Sequence, residues 1–163
     1  LAGAAAYEEI QYEGYGPGGI AIIIEVLTDN KNRTVAELRH LFTKKGGNLA
    51  ESGAVQWMFN RLGVLKIPAQ NVQEDALMDQ LMDHQVQDIQ QQDDIFIITC
   101  QPHYLDEVKT ALKNNTYSVE HAEIEWIAKT LHALSDAEEH KALELLNALE
   151  AIDDVQNVYT NLA

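Results

Sequence analysis

Between residues 63 and 127 the hydrophobic pattern changes period repeatedly within about 65 residues, and the resulting order restricts the fold more than any other feature. "GVLKI" (63–67) reads as a strand. Residues 74–84 read as a helix with Ala76, Leu77 and Leu81 inward. "VQDIQQQDDIFIITC" (86–100) reads as two strands joined by a turn at Asp93–Asp94. Residues 104–114 place Leu105, Val108 and Leu112 on one helical face, and "SVEHAEIEWI" (118–127) is a further strand. The order βαββαβ is the ferredoxin-like plan.

What flanks this block has its own grammar. Residues 7–13 alternate as a strand, and "IAIIIEVL" (20–27) is β-branched and continuous, as in a buried strand. "TVAE" (34–37) has the form of a capping box, with Thr34 as cap and Glu37 at the third helical position. Val35, Leu38, Leu41 and Phe42 follow at helical spacing, and Gly46 or Gly47 stops the helix. "GAVQWMFN" (53–60) reads as a strand with Trp57 and Phe59 on one face. A helix capped by Ser135 and a last strand near Val155–Thr160 remain after the ferredoxin-like block. They supply the α and β that the first ββαβ lacks. The expectation is therefore an α+β chain of two sandwich-like domains. A discontinuous domain, 1–62 plus 130–163, has the order ββαβ…αβ, and a ferredoxin-like domain, 63–129, is inserted into it.

The loop "GYGPGG" (14–19) spaces Gly14, Gly16 and Gly19 as in a dinucleotide-binding loop. Phosphate loops run from strand to helix, because the helix N-terminus supplies free N–H groups. Here a strand follows, and Pro17 has no N–H. The pattern therefore reads as a hairpin connection that needs positive φ, with Tyr12 and Tyr15 displayed beside it.

Charge is unevenly distributed. The chain carries −15, which opposes wholesale coating of nucleic acid or an anionic membrane. Yet Thr28–Arg61 has six basic and three acidic residues, +3, whereas 62–129 has four basic and twelve acidic, −8. "TDNKNRT" (28–34) reads as a polar loop of donors leading into the helix. Asn30, Lys31, Asn32, Arg33, Arg39, His40, Lys44 and Lys45 are candidate nucleic-acid contacts, and Tyr15 is a candidate exposed loop aromatic. The alternative is an ordinary solvated face, with lysines complementing the helix dipole.

Catalytic patterns are missing. The six histidines are scattered, Cys100 and His103 form only an isolated C-x-x-H, and Ser52 lacks a nucleophile-elbow context. The expectation is a non-enzyme without cofactor, metal or small-molecule substrate. A single cysteine suits a reducing, cytoplasmic setting. No apolar run approaches a membrane span, so no membrane partner is expected. A chain opening on Leu1 reads as a fragment or a processed form.

Taken together, "YEGYGPGG", "LTDNKNRTVAELRHLFTKKGGNL", "GAVQWMF" and "DDVQNVYTN" resemble the YebC/PmpR family across essentially the whole chain. Ala50 and Ala54 replace the Gly and Ser usual there. The resemblance implies a basic helical N-terminal domain, absent here, followed by a second domain into which a ferredoxin-like third is inserted. It also implies gene-expression regulation. The partner would be DNA, for a transcriptional regulator, or RNA and the ribosome, for a translational activator. A protein-interaction role, in which the acidic ferredoxin-like domain recruits a basic partner, is a third reading.

Overall fold

A computed structural model describes residues 6–163 of the chain. It is an α+β structure with two four-stranded sheets. Residues 6–60 with 127–163 form one compact unit, and residues 61–126 form another.

In the first unit, β1 (Glu8–Tyr15) and β2 (Ala21–Thr28) make an antiparallel hairpin in the register Tyr15↔Ala21 to Glu8↔Thr28. Gly18 and Gly19, at φ +73° and +84°, turn the chain, as the glycine-rich loop required. Next come α1 (Lys31–Lys44) and the short β3 (Asn48–Ala50). The sheet order is β3-β1-β2-β8, where β8 is Val155–Thr160 and pairs antiparallel with β2. One face of this sheet packs on α1 and on the helix Asp136–Glu150. Ile20, Ile22, Ile24 and Val26 meet Leu38, Phe42, Leu145 and Leu149 there. Ile23, on the opposite face, is equally buried, which explains why β2 is apolar without alternation.

In the second unit, β4 (Phe59–Pro68), β5 (Val86–Gln92), β6 (Ile95–Cys100) and β7 (His121–Ala128) are ordered β5-β6-β4-β7. With α2 (Glu74–Leu81) and α3 (Leu105–Asn114) this is the ferredoxin-like arrangement. Leu65, Ile67, Phe96 and Ile98 pack on Leu77, Leu81, Val108 and Leu112. Cys100 is buried in this cluster, and burial pushes its thiol pKa up. His103 is exposed and its ring lies against Tyr104. The helix Asp136–Glu150, here α4, is capped by the Ser135 hydroxyl, which accepts from the Glu138 N–H.

Four local expectations are corrected. First, α1 starts at Lys31 and not at Thr34, so "TDNKNRT" is largely the first helical turn and not a loop. Asn30 is the cap, its side chain accepting from the Arg33 N–H at 3.1 Å. Second, the strand expected in "GAVQWMFN" lies earlier, at Asn48–Ala50; Gln56–Met58 form a 3-10 turn before β4. Third, Trp57 is 65% exposed and Phe59 is buried, so they do not share a face. Fourth, Ala76 is exposed, and α2 buries only Leu77 and Leu81.

Candidate nucleic-acid interface

Helix α1 buries Thr34, Leu38 and Phe42. At about 100° per residue, Asn32, Ala36, Arg39, His40, Thr43 and Lys44 are turned to the other side. All of these are exposed. Lys31 is exposed in the first turn, and Lys45, at the C-terminal cap, is half-buried. Among the described residues no ion pair involves Lys31, Arg39, Lys44 or Lys45. Their charges are therefore free to meet an anion. Glu37 is the one carboxylate on the helix, and it is also exposed.

Two candidates have structural work. Asn30 caps the helix. Arg33 lies 2.9 Å from Asp154 and 3.2 Å from Asp29. The Asp154 carboxylate also lies 2.9 Å from the Thr34 hydroxyl and 3.2 Å from that of Thr28, and Thr28 in turn accepts from the Asn30 N–H. Asp154 thus ties the turn before β8 to the start of α1, a partnership 121 residues long that no local pattern announces. The pair Asp153–Asp154 looks like a solvated turn from sequence alone.

The hydrogen bond from Arg33 is the main influence holding the Asp154 carboxyl below its usual pKa, with that from Thr34 next. A lowered folded-state pKa contributes stability that is complete above the unfolded value, about 3.9, and is lost as the pH falls through the folded value. Asp154→Asn is expected to cost about 1–2 kcal/mol at pH 7, because the site is partly screened by solvent. The deficit relative to wild type should narrow once the pH drops below the carboxylate range. Denaturant midpoints across pH check this, and a deficit that does not vary with pH rules out the ionic tie.

The tyrosines are placed differently from expectation. Tyr15 is half-buried at the end of β1, with its hydroxyl 3.4 Å from the Ala54 carbonyl, so it is not an exposed loop aromatic. Tyr12 packs against the core with its hydroxyl buried and, among the described residues, lacking a hydrogen-bond partner, and burial, then Glu8, raises its pKa. Trp57, by contrast, is exposed, and its indole N–H donates to the Ala54 carbonyl at 3.0 Å.

The segment carrying Trp57 is organised by Glu13, which sequence reasoning passed over as one polar position in an alternating strand. Glu13 is 1% exposed. Its carboxylate accepts from the backbone N–H groups of Gly53 (2.7 Å), Val55 (2.9 Å) and Gln56 (2.7 Å). A buried carboxylate bonded by several amides fixes a loop that would otherwise leave those donors unpaired.

Among the described residues no group of three or more His, Cys, Asp or Glu side chains is placed to hold a metal, and no helix is long and apolar enough to cross a membrane.

Residues 7–162 match a family model described as the second and third domain of TACO1/YebC. A probable transcriptional regulatory protein of Chlorobaculum tepidum is 47% identical over 97% of this chain and 63% of its own length. Another of that description, from Thermotoga petrophila, is 49% identical over 95% of the chain and 61% of its own length. The chain thus spans about three fifths of the length of the curated relatives it matches. A solved structure of a conserved hypothetical protein from Aquifex aeolicus superposes with TM-score 0.88 at 40% identity, covering 100% of this chain and 67% of the other.

Proposed function

The chain belongs to the TACO1/YebC family, and from that premise we propose that it acts in gene-expression regulation by laying the exposed side of α1 on a nucleic-acid backbone. One observation carries the reading. In a chain of −15, α1 presents Lys31, Arg39, His40 and Lys44 to solvent, and among the described residues no ion pair involves Lys31, Arg39 or Lys44. Lysine and arginine without protein partners gain most from phosphate, because each contact releases condensed counterions. The surrounding acidic surface repels the same backbone and so restricts how the protein can lie on it. Such contacts position without reading bases, and sequence discrimination is not part of this reading.

Asn30 and Arg33 support the face more than they form it. Arg33 remains 47% exposed, so its unused donors can reach a phosphate while Asp29 and Asp154 hold it. We read the chain as non-catalytic and as working in a reducing compartment. The inserted-domain reading, with 63–129 as the insert, is kept as part of the proposal.

Arg39→Ala with Lys44→Ala is the informative variant, since neither side chain holds the fold. In a salt series, the slope of log affinity against log salt should fall in magnitude by about one per cation removed, hence about two for the pair. Thermal melts should not move. Running duplex DNA, single-stranded RNA and purified ribosomes in parallel separates the transcriptional from the translational reading, because all three offer the same phosphate chemistry. An unaltered slope on every target would leave α1 as a solvated face.

A further inference from the structure

From Ile67 to Val108 the sequence contains nine carboxylates and neither lysine nor arginine. This stretch includes α2 and β5. Strand β5 is an outer strand of its sheet, bonded to β6 on one side only. Among the described residues no strand pairs with its other edge, and Gln87, Asp88 and Gln90–Gln92 are exposed. Helix α2 turns Leu77 and Leu81 inward and leaves Met78 and Met82 48% and 74% exposed. Met78, Leu81, Met82, Val86 and Ile89 line a groove of about 450 Å³, with Asp79 and Asp88 on its rim.

We propose that this groove and the open edge of β5 dock an extended, lysine- or arginine-rich protein segment with apolar residues at alternate positions. The segment adds to the sheet as a strand. Backbone groups along β5 supply the pairing, as in other strand additions. The two methionines adapt to varied apolar side chains, which suits a floor of loose sequence preference. The carboxylates on the rim and along both elements select cations on the alternate positions.

Charge also decides between occupants. A second copy would set Asp79, Asp88, Asp93 and Asp94 against the same groups, and this stretch has no lysine or arginine on either copy to relieve them. A nucleic-acid strand would meet the same repulsion. An open strand edge is ordinarily blunted by lysine, proline or a bulge. Here the only such device is the register shift between Val86 and Asp88, and Ile89–Gln92 stay in regular register.

The test titrates the isotope-labelled 163-residue chain with a synthetic peptide of alternating lysine and valine, followed by amide and methyl NMR. Saturable shifts confined to Val86–Gln92 and to Met78 and Met82 are the expected result. Met82→Ser, at an exposed position, should weaken binding about five- to tenfold. Asp79→Asn with Asp88→Asn should weaken it several-fold at low salt and remove much of the salt dependence. A peptide with glutamate in place of lysine should not bind. Arg39→Ala with Lys44→Ala should leave peptide affinity untouched, so this site and the α1 face fail or succeed separately. Shifts scattered over the acidic surface, full affinity in Met82→Ser, or groove signals that move with the chain's own concentration would overturn the proposal, the last in favour of a second copy.

Discussion

Glu13→Leu is expected to destabilise the first unit by about 3–5 kcal/mol, an effect as large as truncating a core aromatic. The carboxylate is the acceptor for three backbone donors, from Gly53, Val55 and Gln56, at 2.7–2.9 Å. Leucine fills similar space but accepts nothing. Each stranded buried donor costs roughly 1–3 kcal/mol, and the segment lowers the total only by swinging out to water. Swinging out would uncover Val55, which is fully buried, and would release Trp57 from its present posture. Glu13→Gln separates the contributions. Its carbonyl can still accept from Val55 and Gln56, which share one carboxylate oxygen, and the lost bond is that from Gly53. That variant should cost about 1–2 kcal/mol. Denaturant midpoints give the energies, and the emission of Trp57 in a background lacking Trp126 reports the segment. If leucine melts like wild type, Glu13 does not hold this loop.

The second large effect separates two neighbouring glycines that look equivalent in "KKGGN". Gly46 sits at φ +85°, with nothing closer to an added methyl than Pro17 Cγ at 3.8 Å. Gly46→Ala therefore meets backbone strain alone, about 1–2 kcal/mol. At Gly47 an added Cβ would lie 2.3 Å from the Tyr15 carbonyl oxygen, with Gly16 Cα and Phe42 Cδ1 both at 3.2 Å. The first of these is backbone of the β1–β2 hairpin, which cannot rotate away. Gly47→Ala should cost about 3 kcal/mol, because β1 or the end of α1 must shift to admit one carbon. Equal losses at the two sites, or a greater loss at Gly46, would contradict the close approach of these two backbone segments.

The same glycines mark how far a local pattern carries. That a glycine ends α1 follows from helix-stop chemistry and is legible in the letters. Which of the two must be glycine for its backbone angle, and which for lack of room, depends on a hairpin thirty residues upstream. The cap of α1 is a similar case. "TVAE" satisfies the rule for a capping box, yet Asn30 caps instead. Thr34 is drawn inward because Thr28 and Asp154 offer its hydroxyl partners that an isolated helix start lacks. Arg33 looked like a free cation in a loop, and the fold surrounds it with Asp29 and Asp154. Among the described residues, the candidate cations without an ion pair are those whose neighbourhood is the helix itself: Lys31, Arg39, Lys44 and, at its C-terminal cap, Lys45.

Sequence alone determined the family resemblance, the hairpin at "GYGPGG", the βαββαβ order and the inward faces of α1 and α3. It could do so because strand and helix periodicity and glycine punctuation are set by neighbours a few residues apart. Tertiary structure alone decided the roles of Glu13, Arg33, Thr34 and Asp154, the burial of the Tyr12 hydroxyl and the exposure of Trp57. A polar group's role depends on which donor or acceptor it meets, and Glu13 meets its partners 40 to 43 residues away. Asp154 meets Arg33 across 121 residues. Hydrophobic burial repeats along the chain and can be read as a pattern; a single polar contact between distant segments repeats nowhere.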